Sequence, residues 1–393
     1  MSGRICLVRQ TYFPAEAHLR KNVNALVDAG FRVDVVCLRE PGRPAKEGYR
    51  GGTVYRLPLT HRRAGMLRYL FEYGGFFLLA LLQLAWLSLI RPYDTVEVYN
   101  LPDFLVLAAL PARLRGSKVV IYLFEMMPEQ VGHQYGLGRR HPLSRLLRWL
   151  EGVCVRFADR VITVSPHQRE TIVRRSRPSA VPVVVANAPD TAVFAAAPSP
   201  EPDHKPFRLM THGSLLRRYS IDTLIRAVPH LRPQIPELEV LIVGRGEERQ
   251  RLERLAKHLG VQDAVRFEEW VEISRMPEYI AQADIGVVSA SANWLLPNKL
   301  LEYVTMGRPV VAARSDAIAY VFGGQSLAYF HASDERDLAQ RVIELYNDPK
   351  RRSGLVRNAC RDMEPYRWEL ALESYIGLHQ DLAARNGNGT HAN

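Results

Sequence analysis

LPNKLLEYVTMGRPVVAARSDA, residues 296–317, reads as a loop, a short helix over about 299–306, a Gly-Arg-Pro turn and an apolar strand over about 309–313. Pro297 suits the first turn of a helix, where its missing N–H is no loss, and Gly307 suits the left-handed residue that ends one. With the apolar run at 285–289 before it, the element is strand, turn, helix, strand. Two polar groups within it call for a partner. Lys299 sits in the first helical turn, where a cation opposes the positive end of the helix dipole and is better placed to meet an anion. Glu302, one turn on, is flanked by Leu300, Leu301, Tyr303 and Val304. A carboxylate in such company needs hydrogen-bond donors, and sugar or ribose hydroxyls would serve. The alternative is an ordinary Glu/Lys pair on a solvated helix face.

The same alternation runs outward in both directions. Residues 4–9 form an apolar strand, 16–29 a helix closed by Gly30, and 31–38 a second strand, the unit from which parallel, doubly wound sheets are built. Strands at 54–57, 95–99, 119–123, 160–164 and 183–185 alternate with helices through residue 185 or so. AAAPSPEPDHKP (195–206) has no periodicity and reads as a linker, after which a second series of strands and helices runs from 207 to 347. This predicts an α/β protein with an N-terminal Rossmann-like domain over 1–190, a linker over 191–206 and a second Rossmann-like domain over 207–365. A C-terminal helix over 366–386 is expected to return toward the first domain, followed by a frayed tail over 387–393. Two such domains are expected to face each other across a ligand crevice at their strand ends.

The 393 residues are 47% hydrophobic and 24% charged, a globular composition, with a net charge of +11 that favours acidic partners. The charge is dispersed, and no helix-turn-helix or finger pattern accompanies it, so nucleic acid is not an expected partner. Cys6, Cys37, Cys154 and Cys360 are widely spaced, which predicts free core thiols, a reducing cytoplasmic compartment and no structural metal. The N-terminus runs straight into a strand without the apolar core of a signal peptide. One segment stands apart: residues 73–90 are uncharged throughout, close to the shortest length that spans a bilayer. A helix buried between sheet and surface is one reading. Membrane contact is the other, because His61, Arg62, Arg63 and Arg68 with Tyr69, Phe71 and Tyr73 form a basic, aromatic approach of the kind found on anionic lipid.

Three loops of the second series carry Gly, Arg or Lys where an anion would sit. THGSLLRRYS places Gly213 and Ser214 after a strand and Arg217 and Arg218 before a helix; VGRGEE places Gly244 and Gly246 at the next strand end; Lys299 belongs to the third. Singly, each is a tight turn or a solvated arginine as readily as a site. Together they point to a nucleoside diphosphate. In the first series, IYLFEMMPEQ brings Glu125 to a strand end, the place of a catalytic or acceptor-binding carboxylate, or of a helix-capping acid.

These residues resemble family 4 retaining glycosyltransferases. LPNKLLEYVTMGRPVVA is similar to their C-terminal Glu-x7-Glu motif with its GxPVVA strand, and THGSLLRRYSIDTLIRAV to their GxLxxRxGxDxLIxA loop. YNLPDFLVLAALPARLRGSKVVIYLFEMMPE resembles a segment of members that assemble polysaccharides. The resemblance implies a GT-B fold, no bound metal or cofactor, a nucleoside diphosphate sugar donor held by the second domain, and a glycan or lipid-linked acceptor held by the first. It implies that Arg218 and Lys299 take the diphosphate, that Glu302 bonds ribose hydroxyls, and that Gly213 and Ser214 face the phosphates. It further implies donor contacts at Asn298 and Leu301, a base beside 269–271 including Val271, and Glu125 as the acid of the first domain. Two positions depart from the pattern: Trp294 stands where the first Glu should fall, and Phe124 where the family has His. The rival readings are an epimerase of nucleotide sugars, with Glu125 and Glu16 as its acids, and a degenerate transferase that only binds partners.

Overall fold

The computed structural model describes residues 3–60, 66–195 and 205–389, with side chains at 66–70 and 385–389 excepted. His61, Arg62 and Arg63, the side chain of Arg68, the middle of the expected linker and the end of the tail lie outside the described residues. The chain divides into two compact units, Met1–Val185 with Ala371–Asn393, and Ala186–Leu370.

In the first unit the order is β1 (Arg4–Tyr12), α1 (Ala17–Asp28), β2 (Arg32–Leu38), β3 (Lys46–Tyr49), β4 (Gly52–Leu57), α2 (Met66–Ile90) and β5 (Thr95–Tyr99). A 3₁₀ turn (Asp103–Ala109), α3 (Leu110–Leu114), β6 (Lys118–Leu123), α4 (Met127–Gln134), α5 (Pro142–Phe157), β7 (Arg160–Thr163), α6 (Pro166–Ser176) and β8 (Val183–Val184) follow. The strands align as β3-β4-β2-β1-β5-β6-β7-β8, parallel apart from the β3–β4 hairpin. Apolar clusters cover both faces of this sheet, which is why the cores of β1 (Ile5–Val8) and β6 (Val119–Leu123) read as unbroken apolar runs. The hairpin is absent from the sequence reading. KEGY has no apolar alternation, and its signal is the pair Arg50 (φ 46°) and Gly51 (φ 84°), which forms a tight turn with two left-handed residues.

The second unit runs β9 (Phe207–His212), α7 (Ile221–Leu231), β10 (Leu238–Val243), α8 (Arg249–His258), β11 (Val265–Glu268), α9 (Met276–Ile280), β12 (Ile285–Val288), α10 (Asn298–Thr305) and β13 (Val310–Ala313). It is completed by α11 (Asp316–Val321), β14 (Ala328–Phe330), α12 (Glu335–Asn347) and α13 (Pro349–Met363). Its strands lie in the order β11-β10-β9-β12-β13-β14, all parallel. Both sheets are therefore Rossmann-like and doubly wound.

α14 (Trp368–Gly389) leaves the second unit and docks on the first. The anchor is Glu97 of β5, fully buried, whose carboxylate accepts from Tyr375 Oη at 3.0 Å and lies 2.8 Å from His379 Nε2. An acid buried in the middle of a sheet needs such partners, and both come from residues more than 270 positions away. Cys6, Cys37 and Cys154 are buried free thiols as expected. Cys360 is not a core residue: it lies exposed on α13, a helix whose apolar spacing escaped the sequence reading.

Candidate active site

In a doubly wound sheet, ligands bind at the carboxyl ends of the two strands where the order reverses. In the second unit these are β9 and β12. Thr211 and His212 end β9, and Gly213 (φ 105°) turns the chain; Lys299 and Glu302 lie on α10, the helix that follows β12.

α10 is brought in unusually close. Gly286 of β12 has no side chain, and a Cβ there would meet the Tyr303 ring at 2.4 Å. The ring lies across the strand and its hydroxyl donates to the Met210 carbonyl at 2.9 Å, so α10 is pinned over both β12 and β9. That seats Lys299 inward, only 7% exposed, with Nζ 3.4 Å from Thr211 Oγ1 and 4.8 Å from the centroid of Tyr219. Arg218 lies against the same Tyr219 ring, its guanidinium carbon 5.3 Å from the centroid. The turn carrying Arg218 is fastened to the end of β12: Ser289 Oγ donates to the Tyr219 carbonyl at 2.9 Å, and Ser291 N–H to the Arg218 carbonyl. Arg218 and Lys299 thus gather on one aromatic ring at the switch point, while Arg217 and Ser214 face solvent beside them.

Burial pushes the Lys299 ammonium down to about 8, against the pull of Glu302, and pushes the Glu302 carboxyl up to about 7, against the pull of Lys299. Glu302 Oε2 stands 3.2 Å from His212 Nε2, whose titration is held well below its usual range by burial and then by Lys299. An uncharged His212 and the Glu302 carboxyl group therefore lie together beside the lysine, with Nε2 of the one and Oε2 of the other buried and, among the described residues, without a hydrogen-bond partner. Asn298 is exposed at the start of α10, and no side chain caps that helix. Leu301 is a core side chain, leaving only its backbone for a ligand.

Gly244 and Gly246 serve the site indirectly. A Cβ at Gly244 (φ 148°) would meet the Gly213 carbonyl oxygen at 1.9 Å, and one at Gly246 the Leu215 oxygen at 2.2 Å. The glycines let the β10–α8 loop lie flat on the 213–215 loop, where Gly213 N–H donates to Val243 and Leu215 N–H to Arg245, both at 2.9 Å. Beyond them Val271 is half-buried, and Arg245 sits 5.0 Å over the ring of the half-exposed Trp270.

In the first unit the switch falls between β1 and β5. Glu16, after β1, is already committed: its carboxylate accepts from the N–H groups of His18 and Leu19, capping α1, and pairs with Arg9 at 3.0 Å. Asn100, after β5, brackets Glu125. Its Oδ1 accepts from the N–H of Phe124 (2.8 Å) and of Glu125 (3.1 Å), and its Nδ2 donates to the Glu125 carbonyl at 2.6 Å. The Phe124 ring is held between Arg9, at 4.7 Å, and the imidazole of His18, at 4.8 Å between centroids. Among the described residues no group of three His, Cys, Asp or Glu side chains is placed to hold a metal ion.

Two family descriptions match: "Glycosyl transferase 4-like domain" over residues 15–188 and "Glycosyl transferases group 1" over 206–348, which together take in most of both units. The chain belongs to the family 4 glycosyltransferases. A GDP-mannose-dependent alpha-(1-6)-phosphatidylinositol monomannoside mannosyltransferase of Mycolicibacterium smegmatis is 29% identical over 216 residues, half of this chain. That match takes in 56% of the relative, so the chain spans little more than half its length. Sucrose-phosphate synthase from Thermosynechococcus elongatus shares the GT-B fold, with a TM-score of 0.80 at 20% identity over 98% of this chain and all of that one. Anabaena HepE in complex with UDP gives a TM-score of 0.71 at 15% identity, covering 97% and 100%.

Within this member of the family, sequence reading missed His212, Tyr219 and Asn100. His212 and Tyr219 gave no signal because their partners, Glu302 and Lys299, are some 80 to 90 positions away. Asn100 was in view within YNLPDF, but its hold on residues 124 and 125 is visible only once β5 and β6 are side by side.

The paired shifts predict a narrow working range. Below about 7 Glu302 is protonated and loses its strength as an acceptor; above about 8 Lys299 is neutral and loses its hold on an anion. Nucleoside diphosphate affinity of the free protein is expected to peak between these values, and Glu302→Gln to remove the acid limb alone. Calorimetric titration across pH checks this; an unchanged acid limb in Glu302→Gln would contradict it.

Proposed function

We propose that this chain is a retaining, metal-independent transferase that moves a sugar from a nucleoside diphosphate sugar to a lipid-linked or glycan acceptor at the cytoplasmic membrane face. The observation that carries this reading is the seating of Lys299 and Arg218 on one ring at the switch point of β9 and β12. The GDP-mannose-dependent mannosyltransferase relative and UDP-bound HepE support a nucleotide donor and, for the former, a phosphatidylinositol-based acceptor.

When the anomeric bond breaks, negative charge grows on the departing diphosphate. Arg218 and Lys299 meet that charge, and each such donor in a partly dehydrated site is worth about 3–4 kcal/mol of barrier. The carboxylate of Glu302, on the floor of the site, accepts from ribose hydroxyls. Retention follows if the acceptor hydroxyl attacks from the face the diphosphate leaves, passing its proton to a phosphate oxygen. Glu125, on a peptide clamped by Asn100, orients that hydroxyl. The acceptor reaches the first unit through peripheral contact of α2 with an anionic bilayer. Its apolar stretch is not a buried core helix: Phe76, Ala80, Leu84 and Leu87 pack inward, but Phe71, Leu78, Leu82, Trp86 and Leu89 are exposed.

The test is to offer UDP- and GDP-sugars with an extracted lipid fraction and to follow donor loss and product anomer by NMR. Donor consumption with an α-linked product from an α-donor is expected. A β-linked product would overturn retention, and nucleotide binding without turnover would favour a partner-binding role.

A further inference from the structure

We infer that the membrane-facing surface is not α2 alone but a three-helix face of the first unit, in which α3 and α5 sit beside α2 and dock in the plane of one anionic leaflet. This rests on the peripheral-contact reading above and extends it to elements that reading does not use. α2 touches the 3₁₀ turn and α3, and α5 touches the same 3₁₀ turn, so all three helices form one layer on one face of the sheet around a shared apolar cluster. Their outward sides carry large apolar groups. On α2 these are Phe71, Leu78, Leu82, Trp86 and Leu89, a single stripe opposite the buried face. α3 adds Leu114, 79% exposed, and α5 adds Leu146 and Trp149, one helical turn apart and 54% and 61% exposed. An apolar face of this extent on a soluble unit marks a contact surface.

Charge decides what covers it. Residues 110–115 and 135–150 contain six arginines (Arg113, Arg115, Arg139, Arg140, Arg145 and Arg148) and no acidic residue. In α2 from Phe71 to Ile90 the one acid, Glu72, is buried. Exposed leucine and tryptophan among unopposed arginines match the boundary between acyl chains and anionic headgroups; a second copy of this face would bring arginines against arginines. The helix is also committed to lie flat. Phe76, Ala80, Leu84 and Leu87 are fully buried against the sheet cluster, so lipid cannot surround α2 while the unit stays folded. α2 meets the length and composition of a crossing helix, and the packing of its inner face is what argues against a crossing.

The test uses the full chain and vesicle flotation, with phosphatidylcholine vesicles and with vesicles containing about one-third phosphatidylglycerol. Neither donor nor acceptor is needed, so failure of the transfer reading leaves the result readable. Wild type is expected to float with the anionic vesicles only and to be released by high salt. The double variant Leu146→Asp/Trp149→Asp, on α5 alone, is expected to lose at least about tenfold in partitioning, as does Leu82→Asp on α2, with melting temperature and nucleotide affinity unchanged. Undiminished flotation of the α5 variant would overturn the three-helix face. Equal binding to both vesicle types, resistance to salt with extraction by detergent only, or a salt-stable dimer that fails to float and is broken by the α5 variant would each overturn it too.

Discussion

Lys299→Ala is expected to lower kcat for sugar transfer by about 10²–10³-fold, while the folded protein becomes no less stable. On the proposed mechanism the loss follows from its place at the switch point, where a cation would meet charge that grows only as the diphosphate leaves. The stability follows from burial. An ammonium whose pKa falls to about 8 is paying for lost hydration, and the fold favours its neutral form. The sign is fixed by proton uptake: between about 8 and the unfolded value the unfolded chain holds more protons, so stability rises with pH through that range. For Glu302, raised to about 7, the folded state holds more protons between its unfolded value and 7, so stability falls as pH rises through that range. Both groups are ionised, and both oppose folding, between about 7 and 8. On the proposed function, the site is held at a cost in the very range in which it would grip a diphosphate, the usual stability–function conflict of active sites. Stopped assays with thermal melts check this. A variant that keeps wild-type turnover, or that loses activity only because it melts, would count against a direct role for the lysine.

Gly286→Ala is expected to be a strongly disruptive single-methyl change in the second unit. The new Cβ would lie 2.4 Å from the Tyr303 ring, and β12 is an interior strand that cannot move aside. The ring must yield, breaking its bond to the Met210 carbonyl and tilting α10. Overpacking of this kind costs about 1–3 kcal/mol, and the loss of a buried hydrogen bond about 1 kcal/mol more. For a chain of this size that is a fall of roughly 5 °C or more in melting temperature. Because α10 carries Lys299, nucleoside diphosphate affinity should fall with it. Gly286→Ala/Tyr303→Leu, which removes the ring edge that the methyl strikes, is expected to recover part of the stability and little of the affinity. Melting curves and titrations of both variants decide; an unperturbed single variant would show that Tyr303 does not fix the helix.

Much of this was legible in the sequence because parallel sheets buried on both faces write continuous apolar runs. The cores of β1, β6, β10, β12 and β13 all read that way, and the Pro297 and Gly307 signals bracket α10 to within two residues. What failed to show was of two kinds. β3, short and without apolar alternation, had no pattern to betray it, and α13 carries Leu355, Ala359 and Met363 at helical spacing that passed unread. The other kind is long-range pairing. Glu302 announces a need for a partner but not that His212 is the group beside it, and Glu97 gives no hint of Tyr375 and His379. The glycines at 244 and 246 misled in an instructive way: they resemble half of a phosphate-binding fingerprint, yet the atoms they make room for are the carbonyl oxygens of Gly213 and Leu215. Glu16 looked available as an acid and is instead spent on a helix cap and on Arg9.

The central claim is that Arg218 and Lys299 grip the diphosphate of the donor, and calorimetric comparison of nucleoside diphosphates with the matching monophosphates tests it most directly. At a pH between 7 and 8, wild type should bind UDP or GDP at least about tenfold more tightly than UMP or GMP, and the difference should vanish in Arg218→Ala/Lys299→Ala. A double variant that still prefers the diphosphate by the wild-type margin would contradict it.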